Sequence, residues 1–558
     1  MLRVLCYSKN MKKYVIKIDR TDKKSILQYC RENGIDLCPA PCGGKGTCGK
    51  CKVHVTKPYD KVVLACKTEA VNGMEIAPVR DESENMVVLQ GDKVSDDTVD
   101  EKDRHDDLDR RIVSPKDGIR DRSSDVICAA CDIGTTTVVC SIIDPVTKDV
   151  LASRAGANPQ RSFGADVVSR IEAACADDDN LKTMNNAIVN LISGWITDMI
   201  QKLGVEKIKL LTVAANTTMC HLFAGISPEK IGKAPFMPDE LFGKEYKGAG
   251  IGILNCEKVY IIPAVSGYVG GDITAGMAEC IDVAEMTLYL DIGTNGEMAL
   301  GRGGKYLCAA TAAGPAFEGA QIEMGMPGQK GAIDKVWLEG RKICYSVIGN
   351  VRPLGICGSG IIDAVAVFLD TGIIDENGTI KDMADIPLWY RPYVEVFDDE
   401  DDDEDIYPAE TAEKVVHISP EVILNQDDIR KIQLAKSAIA AGIDVLIKEY
   451  GITYKEIDRV CLAGGFGNYL DQKSAARIGL IPEKLLKKTV SVGNAAQKGA
   501  IATAYIYEDH GSKTETKILN KDIINKTNAI ISTMAYIELS TYPGFDEMYV
   551  SHINFTCP

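Results

Sequence analysis

Val126-Ile-Cys-Ala-Ala-Cys-Asp-Ile-Gly-Thr-Thr-Thr-Val-Val-Cys140 is closely repeated later as Met286-Thr-Leu-Tyr-Leu-Asp-Ile-Gly-Thr-Asn-Gly-Glu-Met-Ala-Leu300. In both stretches an apolar run ends in Asp-Ile-Gly-Thr and a second apolar run follows, a pattern typical of two strands joined by a tight turn. Glycine allows the bend and a close approach of the backbone to a ligand. Backbone N–H groups and threonine hydroxyls can then face phosphate oxygens, while aspartate can hold a hydrated cation. The two copies predict a duplicated fold that binds one nucleotide from two sides.

The composition narrows the classes of protein to consider. The 558 residues suffice for two to four domains, and the formal net charge of −17 argues against a nucleic-acid or anionic-membrane partner, since both favour basic surfaces. No apolar run approaches the length of a membrane span. Many of the 19 cysteines stand inside apolar runs, which predicts reduced core thiols and a cytoplasmic protein.

Residues 1–80 contain a cysteine-rich and glycine-rich loop, Cys38-Pro-Ala-Pro-Cys42-Gly-Gly-Lys-Gly-Thr-Cys48-Gly-Lys-Cys51, and a further cysteine follows at Cys66. Small residues between thiolates allow backbone N–H groups to turn towards the sulfur atoms of a cluster. A strand and then a helix capped by Thr21 or Asp22 are expected before the loop.

The spacing Cys-x5-Cys-x2-Cys resembles the loop of plant-type 2Fe–2S ferredoxins, which opens Cys-x4-Cys-x2-Cys. This resemblance implies a β-grasp ferredoxin domain over residues 1–80, with Cys38 as the alternative to the fourth cluster ligand. A four-cysteine zinc site is the competing interpretation. The expected ligands of the cluster are Cys42, Cys48, Cys51 and Cys66.

Beyond residue 80 the sequence predicts a linker, a large module that contains an acidic run, and a C-terminal extension. A charged, flexible linker over 81–124 is poor in apolar periodicity, and an acidic run at 398–405 is interpreted as a solvated insertion. The remaining boundaries are a large module over 125–510, with halves at about 125–284 and 285–510, and a C-terminal extension over 511–558 that packs on it.

The order of glycine-rich turns in the large module resembles the superfamily of acetate and sugar kinases, chaperones and actin (ASKHA). The resemblance implies an actin-like ATPase fold of two ribonuclease-H-like halves that binds ATP and Mg²⁺, in an α/β multidomain protein. The implied phosphate loop 1 is Asp132, Gly134, Thr135 and Thr136, and phosphate loop 2 is Asp291, Gly293, Thr294 and Asn295. The residues expected to border the adenosine are Gly358, Ser359, Gly360, Gly464, Gly465 and Gly467.

Three carboxylates are the candidate catalytic residues, since release of a γ-phosphoryl group depends mostly on positioning and charge neutralisation. Asp132 is expected to orient water bound to Mg²⁺, and Asp291 or Glu297 to orient the attacking water. A solvent-facing Glu297 without a catalytic role is the alternative.

The two modules together resemble the reductive activators of corrinoid proteins. The shared motifs are Asn-Pro-Gln-x-x-x-Gly-Ala-Asp, Asp-Ile-Gly-Thr-Asn-Gly-Glu, Ala-Gly-Pro-Ala-Phe-Glu-Gly, Gly-Ile-Cys-Gly-Ser-Gly and a Tyr-Ile-Glu-Leu-Ser ending. The resemblance implies an ATP-hydrolysing enzyme that passes one electron from the 2Fe–2S cluster to Co(II) and regenerates Co(I) for methyl transfer. It also implies a corrinoid protein as target, a low-potential electron donor and a homodimer. The chain is expected to lack the separate domain that longer members carry between linker and nucleotide fold.

Three other functions remain open at this point. An activator of a radical dehydratase would share the nucleotide fold but carry a 4Fe–4S cluster bridging two subunits. A small-molecule kinase with a regulatory redox module would yield a phosphorylated product. A redox-sensing scaffold would bind ATP without hydrolysing it.

Overall fold

The structure is a computed structural model that describes residues 14–18, 23–33, 35, 37–38, 40, 43–46, 50–79, 126–319, 321–397, 413–464, 470–505 and 519–555. The predicted linker and the acidic run at 398–405 lie outside these residues. The described chain forms two compact units. Unit one comprises residues up to 79, residues 126–279 and the described residues between 496 and 531, and unit two comprises 280–495 and 532–555.

The residues described between 14 and 79, the N-terminal module of unit one, form a four-stranded antiparallel sheet and one helix. Ser25, not the predicted Thr21 or Asp22, is the N-cap of that helix, since its hydroxyl accepts a hydrogen bond from Gln28 N–H at 3.1 Å. The strand order is β1-β4-β2-β3. The elements are β1 (Tyr14–Val15), α1 (Ile26–Glu32), β2 (Lys52–Lys57), β3 (Lys61–Leu64) and β4 (Glu75–Pro78).

The remainder of unit one contains a six-stranded sheet in the order β7-β6-β5-β8-β10-β9. The first three strands form an antiparallel meander, and β8 and β10 extend the sheet in parallel to β5. The elements are β5 (Cys128–Ile133), β6 (Thr137–Ile143), β7 (Val150–Ala157), α2 (Val167–Ala176), α3 (Asp178–Lys202), β8 (Ile208–Ala215), α4 (Thr217–Ala224), β9 (Lys244–Lys247), α5 (Gly248–Ile251), β10 (Cys256–Ile261) and α6 (Gly271–Cys280).

Unit two contains a six-stranded sheet in the order β21-β20-β11-β12-β13-β22 and two three-stranded sheets. Its elements up to residue 493 are β11 (Thr287–Ile292), β12 (Gly296–Arg302), β13 (Lys305–Thr311), β14 (Ala332–Glu339), β15 (Lys342–Val347), β16 (Gly355–Ile356), α7 (Gly358–Thr371), β17 (Val394–Phe397), β18 (Glu413–Ser419), β19 (Val422–Asn425), α8 (Gln426–Tyr450), β20 (Arg459–Ala463), α9 (Gln472–Arg477) and β21 (Thr489–Gly493).

The two six-stranded sheets share one plan, as the repeated sequence predicts. In each, a three-stranded antiparallel meander is followed by two parallel strands, so β11, β12, β13, β20 and β21 correspond to β5, β6, β7, β8 and β10. Strands β5 and β11 are buried almost throughout, because each lies between two other strands of its sheet and its unit also contains helices. Each Asp-Ile-Gly-Thr turn therefore follows the equivalent strand of its own sheet, β5 in unit one and β11 in unit two.

The C-terminal elements, from residue 495 onwards, are divided between the two units. Helix α10 (Ala495–Thr503) packs on the sheet of unit one, where Thr212 Oγ1 donates to Ala500 O at 2.7 Å and Gln497 Nε2 donates to Ala130 O at 3.1 Å. After α11 (Lys521–Ser532), β22 (Met534–Ile537) pairs in parallel with β13, and α12 (Phe545–Ser551) packs on α8. No helix in the described ranges is long and apolar enough to cross a membrane.

Candidate functional site

The N-terminal module brings two of the predicted cluster ligands together. Cys51 stands just before β2 and Cys66 two residues after β3, and the pairing of Lys52 with Leu64 sets both at the same end of this hairpin. Their Sγ atoms are 3.1 Å apart, neither forms a disulfide, and Cys51 is buried. Two adjacent, unbridged sulfur atoms fit the thiolate ligation of an iron–sulfur cluster.

The loop before Cys51 turns on glycines. Gly43, Gly44 and Gly46 have φ angles of 63°, 92° and 79°, a region that favours glycine. Cys42 and Cys48 lie outside the described residues, and no group of three metal-binding side chains occurs among those described. The short distance between Cys51 and Cys66 supports Cys66, rather than the buried Cys38, as the fourth ligand. The complete ligand set stays a prediction.

Phosphate loop 1 is the tight turn between β5 and β6. The Gly134 N–H donates to Thr137 O at 2.9 Å, and a Cβ at Gly134 would lie 2.7 Å from that oxygen, so the turn requires glycine. Asp132 is half-buried near the end of β5. Thr135 Oγ1 accepts a hydrogen bond from Asn216 Nδ2 at 3.1 Å, and Asn216 is the N-cap of α4. The predicted strand-to-helix turn at Asn216 thus supports the loop.

A clamp segment, residues 158–170, holds phosphate loop 1 by its carbonyl oxygens. Asn158 Nδ2 donates to Gly134 O at 2.8 Å, and the Asn158 N–H donates to Thr136 O at 2.8 Å. The Arg170 guanidinium is fully buried and donates to Thr135 O at 2.5 Å. Charge-assisted bonds of this kind are stronger than neutral ones. Sequence reasoning singled out the Asn-Pro-Gln motif of this segment but assigned no role to Arg170.

Phosphate loop 2 has the corresponding place between β11 and β12. The Gly293 N–H donates to Asn295 O at 2.9 Å, and Asn295 Nδ2 donates to Glu297 Oε1 at 3.4 Å. Asp291, half-buried, is directly opposite Glu297 in the strand pairing. Glu297 is only 9% exposed, so the alternative of a solvent-facing Glu297 is wrong. The structure therefore places two carboxylates beside this turn.

A third carboxylate at phosphate loop 2 was not among the predicted site residues. Thr294 Oγ1 donates to Glu318 Oε1 at 2.9 Å, and a Cβ at Gly293 would lie 3.4 Å from the same oxygen. Glu318 ends a short 3₁₀ helix, Pro315–Glu318, between Gly314 and Gly319, which both have a φ of 75°. The sequence signal for Glu318 was the Ala-Gly-Pro-Ala-Phe-Glu-Gly motif. The motif alone does not show the contact with phosphate loop 2, because that contact depends on the tertiary fold.

One predicted adenosine residue lies beside phosphate loop 2. Gly464 follows β20 with a φ of 91°, its N–H donates to Gly493 O at 3.1 Å, and a Cβ there would lie 2.7 Å from Asp291 Oδ1. Because Gly464 has no side chain, the Asp291 carboxylate can lie this close to the backbone. Gly465 and Gly467 lie outside the described residues.

The other predicted adenosine residues, Gly358, Ser359 and Gly360, begin α7 and have contacts that favour packing. Ser359 Oγ donates to Asp334 O at 2.8 Å, and a Cβ at Gly360 would lie 2.4 Å from Ile333 O. These residues let α7 approach β14 closely. Their role towards a nucleotide stays a prediction.

A buried carboxyl on α7 has a raised pKa. Burial raises the pKa of Asp363 to about 6, although its Oδ2 atom accepts a hydrogen bond from the Val336 N–H at 3.3 Å. The carboxyl lies one turn beyond the glycine-rich start of α7 and belongs to the packing against β14.

Comparisons with known proteins match every module. Residues 13–71 match the 2Fe-2S iron-sulfur cluster binding domain, residues 127–282 match the RACo middle region, and residues 285–557 match the C-terminal domain of RACo, the ASKHA domain. The matched middle region covers the residues that we assign to the first half of the nucleotide fold, and the expected absence of a further domain between linker and nucleotide fold stays a prediction. The predicted fold class is confirmed.

Two of the relatives cover almost the whole chain, and a third covers about three quarters of it. The chain is 32% identical to the corrinoid activation enzyme RamQ of Eubacterium limosum, over 97% of each protein. It is 24% identical over 76% of each protein to the [Co(II) methylated amine-specific corrinoid protein] reductase of Methanosarcina barkeri. A solved reductive activator for corrinoid, iron–sulfur protein covers 97% of this chain and 96% of its own, with 30% identity and a TM-score of 0.65.

Fold and family matches thus define an iron–sulfur protein of the ferredoxin type joined to an ASKHA-type body with two equivalent Asp-Ile-Gly-Thr turns. Within that class, the chain belongs to the family of the reductive activators of corrinoid proteins.

Proposed function

We propose that this chain reactivates a corrinoid protein by passing one electron to Co(II), which becomes Co(I), in a process driven by ATP. The observation that carries the proposal is the adjacency of the Cys51 and Cys66 sulfur atoms, in a chain that also carries two equivalent Asp-Ile-Gly-Thr turns. The 2Fe–2S match and the family membership favour this function over a dehydratase activator, a kinase or a scaffold.

The N-terminal module holds the electron carrier. Cys42, Cys48, Cys51 and Cys66 would ligate a 2Fe–2S cluster, which supplies one electron at a potential near −400 mV, as in plant-type ferredoxins. A low-potential donor restores that electron after each transfer. Raising an electron in energy costs about 2.3 kcal/mol per 100 mV, which ATP hydrolysis can supply if nucleotide state changes which cobalt state is favoured.

The phosphate loops are proposed to bind Mg²⁺ and ATP. Glycine turns at Gly134 and Gly293 let backbone and hydroxyl groups of Thr135, Thr136, Thr294 and Asn295 face phosphate oxygens. Asp132 is proposed to orient water on Mg²⁺, while Asp291 and Glu297 orient the attacking water. Glu318 orients the Thr294 hydroxyl, because its carboxylate accepts a hydrogen bond from that hydroxyl.

Assembly and location are part of the same proposal. The chain acts on a methyl-carrying corrinoid protein and is proposed to be a homodimer in the cytoplasm. The cysteines that the structure describes form no disulfides, and burial raises the pKa of Cys128, Cys256 and Cys308 to about 12, which keeps these three thiols protonated and unreactive.

An anaerobic visible spectrum tests this function. The Co(II) form of a corrinoid methyl carrier is mixed with the full chain and a strong reductant, with or without Mg²⁺ and ATP. We expect the Co(II) band to give way to that of Co(I) only when ATP is present, and Asp132→Ala to abolish the change. Equal reduction without nucleotide would contradict the proposal.

A further inference from the structure

The described part of the N-terminal module contacts the clamp segment through an arginine of α1. Arg31, in α1, donates from Nε to Ser162 O at 2.7 Å and again from Nη2 to the same oxygen. Its guanidinium carbon lies 4.8 Å from the centre of the Phe163 ring, a cation–π distance. An exposed ion pair between Lys45 and Glu172, at 3.1 Å, adds a weaker contact.

The same arginine also holds the loop that carries the predicted cluster ligands. Arg31 Nη2 donates to Gly43 O at 3.0 Å, and a Cβ at Gly43 would lie 3.4 Å from Phe163 O. One planar guanidinium therefore joins the cluster loop to the backbone of Ser162. A lysine could not reproduce this fork of donors, since its ammonium is a single point on a flexible stem.

The clamp segment connects this contact with phosphate loop 1. Phe163 is buried at 2% exposure, and the next residue, Gly164, accepts a hydrogen bond at its carbonyl from Arg170 Nε at 3.0 Å. The same guanidinium of Arg170 binds Thr135 O in phosphate loop 1. From Gly43 to Thr135, each step is a hydrogen bond to a backbone carbonyl, a ring contact or a peptide link. A shift of the phosphate loop has a direct mechanical path to the cluster loop.

We propose that Arg31 is a positioning residue that ties the placement of the iron–sulfur module to the nucleotide state of phosphate loop 1 through the clamp segment. The proposal deepens the proposed function, since it names how ATP reaches the electron carrier. Binding of a phosphate group would order the loop carbonyls held by Arg170, and the clamp segment would transmit that order to Ser162, Phe163 and Arg31.

Amide hydrogen exchange of the full chain with its cluster tests the docking first, without nucleotide. We expect Arg31→Ala to speed exchange in peptides covering 26–33 and 158–166 by about tenfold, with the visible absorption of the cluster retained. Arg154→Ala, which removes only an exposed ion pair with Asp198, is the matched control and should leave both peptides unchanged. Unchanged exchange at 158–166 in Arg31→Ala would overturn the proposal. Should Arg31→Ala lose the cluster, Arg31→Lys carries the same test.

A second arm adds a non-hydrolysable ATP analogue with Mg²⁺. The analogue should slow exchange around 132–136 in wild type and in Arg31→Ala alike, but slow exchange at 26–33 only in wild type. Equal protection of 26–33 in both proteins, or none in wild type despite protection of 132–136, would refute the coupling. An analogue that leaves 132–136 unprotected would instead refute the proposed nucleotide site, while the docking result of the first arm would stand.

Discussion

Asp291 and Glu297 are directly opposite each other in the antiparallel pairing of β11 with β12, so both carboxylates leave the same face of the sheet. Like charges in directly opposed positions repel each other. With Glu297 buried, little water screens that repulsion. A divalent cation held near phosphate loop 2 would turn the repulsion into an attraction.

Glu297→Gln should therefore raise the free energy of unfolding by about 0.2–1 kcal/mol when Mg²⁺ is absent. The same change should lower the rate of ATP hydrolysis. We expect ATP-dependent cobalt reduction to fall by about 10²-fold, and the stabilisation by Mg²⁺ and ATP in thermal unfolding to shrink. Glu339→Gln, on the exposed side of β14, is the control. A variant that kept the full response to Mg²⁺ and ATP would exclude Glu297 from the site.

Cys51→Ala should abolish the visible absorption of the anaerobically purified chain and its cobalt reduction, because the thiolate next to Cys66 is lost. ATP binding should persist, as it depends on other residues. Iron content and absorption spectra measure the first effect, and nucleotide binding the second. Cys175→Ser, at an exposed position outside the N-terminal module, should change neither; a zinc-loaded, colourless wild type would defeat the prediction.

Gly134→Ala should impair nucleotide binding by at least about tenfold, since the new methyl group would meet Thr137 O at 2.7 Å and open the turn. Gly194→Ala is the matched control, because this glycine lies on the exposed side of α3 with free space around it. That change should leave binding intact and stabilise the helix by about 0.5–1 kcal/mol. Calorimetric titration with an ATP analogue separates the two, and equal affinities would show that the turn tolerates a side chain.

Asp363→Asn should make the chain more stable at neutral pH. Burial raises the pKa of Asp363 to about 6, so the folded state holds this proton more tightly than the unfolded state. The stabilisation that the protonated carboxyl contributes is complete below the unfolded pKa near 4 and is lost as pH rises through about 6. Urea unfolding at pH 5 and pH 7.5 should show a larger advantage of the variant at pH 7.5. An advantage independent of pH would contradict the prediction, and Asp370→Asn, at an exposed position on α7, is the control.

Lys436→Met should loosen the C-terminal segment. Lys436 is fully buried in α8 and its ammonium donates to the carbonyls of His552 and Asn554. Removing the ammonium leaves His552 O with the Ser437 hydroxyl alone and takes this donor from Asn554 O, at a cost of about 1–3 kcal/mol. Thermal unfolding and proteolysis after residue 540 measure the effect, with the exposed Lys448→Met as control. A wild-type melting temperature in Lys436→Met would show that Ser437 and Gln433 hold the segment alone.

Local patterns made the phosphate turns predictable. An apolar run, Asp-Ile-Gly-Thr and a second apolar run specify strand, turn and strand within a few residues, so both hairpins and the turn at Asn216 were found where expected. The prediction of Cys51 and Cys66 as cluster ligands came from spacing and resemblance.

Contacts between distant parts of the chain were not predictable. Thr294 and Glu318 meet across 24 residues, and Arg170 reaches Thr135 across 35. Such pairs depend on how whole elements pack, which no periodicity encodes. The cap of α1 failed for a different reason, since Thr21, Asp22 and Ser25 are all competent caps and tertiary packing selects among them.

The order of the elements along the chain also limits where the protein can be divided into fragments that fold. Helix α10 contributes Gln497 and Ala500 to the sheet of unit one, although it follows β21 of unit two, and β22 then rejoins β13. A fragment beginning at residue 285 would expose the apolar side of α10, and one ending at 282 would leave Ala130 O and the Thr212 hydroxyl without their partners on α10. Splitting the gene at the family boundary should yield two insoluble pieces that become soluble when produced together.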